Sequence, residues 1–234
     1  FPIKCNHQKN LIKKIIEYGS KWDLGLEVGS KSELLIGLSI NNNENALLVC
    51  NGYKDKNYIE MAILARKLGK KPILVIEQRD EVERIIEAVK KLGSKPIIGI
   101  RSKLSSRSTG RWSQSSGYDS KFGLSAPEML CTINELKKAN LLKELRLLHF
   151  HIGSQISDIS VIKDALQEGS QIFVELSKLG APMQYMDVGG GLGIDYDGSK
   201  TSSKNSTNYS LQNYANDVIA TIKDTCEINQ VKHP

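Results

Sequence analysis

A lysine, two histidines separated by one residue and a run of glycines are the groups in this chain whose types and spacing suit chemistry. Lys4 closes the apolar opening Phe1-Pro2-Ile3-Lys4-Cys5-Asn6. An ammonium at the end of a buried strand is costly, and desolvation drives it toward the neutral amine that attacks carbonyl carbon. The plain alternative is a solvated surface lysine. In His149-Phe150-His151-Ile152-Gly153-Ser154-Gln155, strand alternation sends both imidazoles to one face. There a ring can stack on a flat heteroaromatic while Ser154 and neighbouring amides take a phosphate; a core histidine satisfied by main chain is the rival reading.

Asp187-Val188-Gly189-Gly190-Gly191-Leu192-Gly193 places four glycines just past a strand, where backbone N–H groups without side chains in the way converge on an anion. It is not a dinucleotide fingerprint, because Ile194 or Tyr196 falls where the third glycine belongs. A phosphate nest and a merely tight turn are the two readings left. Glu27 and Arg101 also stand at strand ends, where they orient a bound group through hydrogen bonds or form a structural salt bridge. Taken together, an amine nucleophile, a stacking imidazole and a phosphate nest describe a site for pyridoxal phosphate.

Groups scattered over nearly 190 positions need a scaffold that gathers strand ends. Apolar runs alternate with helical patterns at intervals of about 25 residues, the rhythm of βα repeats. The strand candidates are Phe1–Ile3, Leu24–Glu27, Ala46–Asn51, Pro72–Glu77, Pro96–Arg101, Leu145–His151 and Gln184–Val188. Between and after them the spacing predicts helices over 32–40, 58–68, 82–92, 127–139, 159–179 and 209–229, with Gly69 and Gly93 as stops and Ser125 and Pro127 at a helix start. Seven strands, continuously apolar where best formed, favour a parallel (β/α)8 barrel of the TIM type, incomplete here, with an eighth strand beyond Pro234. A doubly wound open sheet is the competing architecture.

The bulk composition narrows the function classes. The chain has 234 residues, 40% hydrophobic and 25% charged, an ordinary globular balance. No stretch is long and apolar enough for a membrane span, and no secretory signal opens it. Cys5, Cys50, Cys131 and Cys226 stand far apart, so neither a zinc knuckle nor a disulfide framework is indicated. The formal charge of +6 comes mostly from lysines beside glutamates, as over Glu81–Lys91, which reads as solvated helix surface. Only Arg101, Lys103, Arg107 and Arg111 crowd one loop, which leaves a phosphate-steering or nucleic-acid loop as an alternative, with no interleaved aromatic platform beyond Trp112 to support it. No Gly-x-Ser-x-Gly elbow, HExxH or Walker loop is present.

The linked motifs resemble the biosynthetic arginine decarboxylases of bacteria and plants, pyridoxal-phosphate enzymes of the alanine-racemase-like barrel class. The likeness rests on Phe1–Asn6, Gly25–Lys31, Cys50-Asn51-Gly52-Tyr53-Lys54-Asp55, Lys121–Leu124, Leu147–Gln155 and Asp187–Gly198, and runs nearly end to end. It implies that Lys4 holds pyridoxal 5'-phosphate as a Schiff base, that His151 stacks on its ring, and that Ser154 with Gly189, Gly190 and Gly191 binds its phosphate, Glu27 and Arg101 supporting. A substrate-binding stretch is implied at Met186, Asp187, Val188, Gly189, Gly190, Gly191, Leu192, Gly193, Ile194, Asp195 and Tyr196. The implied reaction converts L-arginine to agmatine and CO2, in polyamine synthesis leading to putrescine and spermidine.

The resemblance further implies a homo-oligomer of dimeric or higher order, no nucleic-acid or membrane partner, a cytoplasmic or plastid location, and magnesium in bacterial members, although no residue here shows ligand spacing for it. Residues 1–234 would then be one pyridoxal-binding barrel domain lacking both family termini, inactive or poorly folded in isolation. A decarboxylase of ornithine, lysine or diaminopimelate, and a catalytically dead regulatory homologue, are the alternatives; Asn51–Asp55 and Ser105–Trp112 favour the arginine branch.

Overall fold

The computed structural model describes residues 1–105 and 121–234. Arg107, Arg111 and Trp112 of the basic loop therefore lie outside the described residues. The chain forms two compact units, Phe1–Ile100 with Leu130–Leu145, and Arg101–Met129 with Arg146–Pro234.

The first unit repeats strand and helix: α1 (Lys9–Gly19), β1 (Leu26–Val28), α2 (Lys31–Ile40), β2 (Leu47–Cys50), α3 (Lys56–Lys67), β3 (Lys71–Ile76), α4 (Asp80–Leu92) and β4 (Ile97–Arg101). Neighbouring strands pair in parallel, with Val28 opposite Cys50, Cys50 opposite Leu74 and Ile76 opposite Ile100. A βα rhythm permits nothing else, since each helix returns the chain to the same end of the sheet. Ile73, Leu74, Val75 and Ile76 are all fully buried, as a strand covered on both faces must be. Local chemistry sets the helix ends: Ser30 accepts from Glu33 N–H at 3.2 Å, Asp55 accepts from Tyr58 N–H at 2.9 Å, and Gly93 stops α4.

After α5 (Ala126–Lys138), the remaining elements are β5 (Leu145–His149), α6 (Ile159–Lys178), β6 (Tyr185–Asp187) and α7 (Leu211–Ile228). β5 and β6 pair in parallel, His149 opposite Asp187. The core of the second unit gathers Leu104, Phe150, Ile152, Ile156, Ile162, Ala165 and Leu166. Gly169 on α6 admits the Phe150 ring: a Cβ there would stand 2.3 Å from Phe150 Cε1. A capping box of Ser210 and Asn213 opens α7.

Six strands, not seven, are formed among the described residues. Phe1–Ile3 is reduced to one parallel bridge between Pro2 and Glu27, and the chain turns at once into a 3-10 turn over Ile3–Cys5. Proline has no N–H to continue a ladder, which explains the early end. The structure also adds α1, where Leu11, Ile12, Ile15 and Ile16 recur at helical spacing among lysines.

One charged group departs from the solvated-surface reading. Glu81, in the first turn of α4, is fully buried against Lys54, also fully buried, with Nζ 3.2 Å from Oε2. Lys54 Nζ donates as well to Gly52 O at 2.5 Å, while Glu81 accepts from the main-chain N–H of Lys54 and of Glu77, each at 2.8 Å. Burial raises the Glu81 carboxyl above its ordinary range even though Lys54 and both N–H donors pull it down. The pair locks the loops after β2 and β3. Replacing Lys54 by Met leaves the carboxylate with no counter-charge and is expected to cost about 3–5 kcal/mol in urea unfolding of the full chain. Lys54→Met with Glu81→Gln keeps the acceptor, removes the charge and is expected to recover part of that loss.

Candidate active site

The first unit carries Lys4 and Glu27. The Pro2–Glu27 bridge, with Glu27 N–H donating to Phe1 O at 2.8 Å, sets the lysine turn beside β1. Lys4 Nζ stands 3.3 Å from Glu27 Oε1, and its side chain is 63% exposed. The expectation of a lysine at the end of a buried strand is corrected here: Lys4 stands on a turn past an isolated bridge, in solvent. An exposed ion pair contributes little stability, so its effect is to aim the amine. Glu27 is the shielded partner, and its Oε2 is buried with no hydrogen bond. That is an acceptor with capacity left for a donor.

The second unit carries the remaining groups. β5 ends at His149, so alternation does not extend to His151 and the two rings have different surroundings, contrary to the expectation of a shared face. His149 is buried, its Nδ1 3.1 Å from Asp187 Oδ2 and 3.1 Å from Asp187 O. His151 is partly exposed, and its Nδ1 takes the Gly190 N–H at 3.4 Å, which puts the proton of the neutral ring on Nε2. Burial alone would raise the Asp187 carboxyl. His149, the Gly189 N–H and His151 together outweigh it and hold that carboxyl below the usual range.

Gly189 and Gly191 have φ of +72° and +100°, values that side chains rarely tolerate. A Cβ on Gly189 would lie 2.5 Å from Phe150 O, and one on Gly191 would lie 2.2 Å from Gly153 O. Gly190, between them, faces open space. The run therefore folds against the turn after β5 and opens outward at its middle residue, with Ser154 exposed on that turn. Gly189 gives the bend rather than a donor, because its N–H is taken by Asp187 Oδ1 at 2.9 Å. A glycine run whose outer residues seat on the His151–Gly153 turn, where no Cβ could stand, and whose middle residue is open fits the phosphate tail of an aromatic cofactor.

Gln155, Ile156 and Tyr209 hold this arrangement. Gln155 donates to Ile194 O at 2.7 Å and accepts from Ile194 N–H at 2.9 Å, imitating one rung of a sheet. Ile156 bridges Leu192 in parallel, with Ile156 N–H donating to Gly191 O at 2.8 Å. Tyr209 accepts from Gly193 N–H at 3.0 Å and donates to Ile156 O at 2.7 Å. Along the stretch Met186–Tyr196, Met186 and Val188 pack on the core, Asp195 accepts from Ser206 at 2.5 Å, and Leu192, Ile194 and Tyr196 are exposed. The Arg101 guanidinium sits over the Phe122 ring, 5.7 Å from its centroid. No local pattern betrays the Gln155 clamp, since its partner lies 39 residues on. Gln155→Ala in the full chain is expected to lose about 1–2 kcal/mol and to speed hydrogen exchange at the Ile194 amide; unchanged protection there would show that the clamp does not hold the loop.

Among the described residues no group of three or more His, Cys, Asp or Glu side chains could hold a metal ion, and no helix is long and apolar enough to cross a membrane. The family described as pyridoxal-dependent decarboxylase, pyridoxal binding domain, matches residues 1–233. The biosynthetic arginine decarboxylase of Prochlorococcus marinus (strain MIT 9515) is 76% identical over all 234 residues, which span 36% of that protein. That of Parasynechococcus marenigrum (strain WH8102) is 64% identical over the same extent, again 36% of its length. The chain thus spans about a third of the curated relatives it matches. The solved structure of the biosynthetic arginine decarboxylase SpeA from Campylobacter jejuni superposes with a TM-score of 0.88 at 36% identity, covering 100% of this chain and 38% of that one. Diaminopimelate decarboxylase from Helicobacter pylori, complexed with L-lysine, gives 0.75 at 26% identity, covering 95% and 53%. The fold class is the parallel β/α barrel anticipated above, present here in part.

Proposed function

The chain belongs to the pyridoxal-dependent decarboxylases, and we propose that it is the cofactor-holding barrel domain of an enzyme that converts L-arginine to agmatine and CO2. The observation that carries this reading is the glycine cradle folded onto the His151–Gly153 turn, in a chain that arginine decarboxylases match from end to end. Lys4 offers the exposed amine that holds the cofactor's aldehyde, aimed by Glu27, whose spare buried oxygen accepts a further donor. Ser154 and the Gly191 backbone receive the phosphate across the open face of Gly190, His151 covers the ring, and Arg101 supports from the end of β4. Bound pyridoxal phosphate supplies an electron-accepting ring that takes up the electrons left when an α-carboxylate departs.

The exposed Leu192, Ile194 and Tyr196 and the backbone around them are the part of Met186–Tyr196 left to meet the substrate. Agmatine would feed putrescine and spermidine synthesis. A homo-oligomer of the full chain and a cytoplasmic location follow the same reading, the latter supported by the bacterial sources of the relatives. For the magnesium implied in bacterial members, the described residues hold no group of three or more His, Cys, Asp or Glu side chains. A diaminopimelate decarboxylase is the second reading, favoured by solved structures of that enzyme at 25–26% identity.

The full chain, given arginine, ornithine, lysine and diaminopimelate in turn and scored by CO2 release, is expected to prefer arginine by about a hundredfold or more in kcat/KM. Lys4→Ala is expected to lower kcat at least about a thousandfold. A preference for diaminopimelate would transfer the assignment, and a Lys4→Ala enzyme of ordinary activity would refute the role of the amine.

A further inference from the structure

We infer that Asp187 and His149 form a positioning pair that shapes the Gly189–Gly191 run for a phosphate group, an inference that rests on the cofactor reading above. The pair stands at the ends of two adjacent strands, His149 closing β5 and Asp187 closing β6 in direct register. His149 Nδ1 faces the main-chain oxygen and Oδ2 of Asp187, both at 3.1 Å. Both are acceptors, so Nδ1 carries its proton whether the ring is neutral or charged. The tautomer is fixed by Asp187 alone.

That leaves the carboxylate its other oxygen. Oδ1 accepts the Gly189 N–H at 2.9 Å, closing a side-chain turn at the residue where the chain enters φ +72°. Phe150 N–H donates to Asp187 O at 3.1 Å, so the residue between the two histidines is tied to the same aspartate. Asp187 thus has one oxygen on the imidazole behind it and the other on the first amide of the cradle in front. The direction in which Gly190 and Gly191 present their backbone is set by how that carboxylate is held.

A carboxylate placed so close to an anion cradle would by itself oppose a phosphate. The protonated Nδ1 edge of His149 offsets that charge from the buried side, and the Gly189 N–H offsets it from the other. Of the strand-end amides taken by side chains, this is the one at the entry of the glycine run, where the chain passes into φ +72°. Past that amide, Gly190 faces open space while Gly191 seats on Gly153. The consequence falls first on a ligand's phosphate and reaches its ring only through His151, whose Nδ1 takes the Gly190 N–H.

The test uses the full chain without substrate and measures dissociation constants for pyridoxal phosphate and for pyridoxal, which lacks the phosphate, by absorbance titration. Asp187→Ala is expected to weaken pyridoxal phosphate about tenfold or more, as loss of a charge-assisted hydrogen bond implies, while pyridoxal changes by less than about threefold. Asp187→Asn keeps an oxygen for Gly189 but meets His149 Nδ1–H with a donor, and it is expected to fall between. Being nearly isosteric, it carries the test if the alanine variant does not fold. An equal loss for both ligands, or no loss for either, would overturn the inference and leave the cofactor reading standing. Failure of the unsubstituted protein to bind pyridoxal phosphate would overturn both.

Discussion

Where a strand ends, its backbone N–H groups lose their ladder partners, and in this chain side-chain acceptors take them over. Glu33 accepts from Gly29 after β1; Glu77 accepts from Gly52 and Glu81 from Lys54 after β2; Glu81 also accepts from Glu77 after β3. In the second unit Asp187 does this for Gly189, Gln155 for Ile194 and Tyr209 for Gly193. A buried amide without a partner costs about as much as a lost hydrogen bond, so each strand-end loop has few conformations open to it. The chemistry-bearing residues stand on those loops and inherit their definition.

The same constraint explains which parts of the structure the sequence displays. Strand and helix positions follow from apolar periodicity and short-range caps, and these were readable: Gly93 ends α4, and the apolar run over 72–77 is β3 within a residue at either end. The loop acceptors are carboxylates and amides that look like surface. Lys54 and Glu81 are 27 residues apart in the chain, and neither shows in its own neighbourhood that the other will bury it. Tyr209 and Ile156 are separated by 53. Periodicity reports the face a residue occupies and carries no information about a partner two elements away.

Two site residues were misplaced for a more local reason. Strand alternation does not reach Lys4, beyond a bridge that Pro2 cannot continue, or His151, beyond a strand that closes at His149. In each case two residues beyond the last pairing change the environment from buried and alternating to open and turn-like. The residue types pointed to the right chemistry, while the pleat told nothing about positions outside it. The glycine run shows the converse: its composition announced a special backbone, and positive φ at Gly189 and Gly191 supplies it.

Phe150 lies between the two histidines, and its ring occupies the space that the missing side chain of Gly169 leaves on α6. The orientation of both imidazoles consequently has a remote tenant: a helix position that touches neither of them. A single methyl added there would be felt as a shove on the residue in the middle, tilting its neighbours on either side together. Drift on that helix is policed by chemistry it never meets.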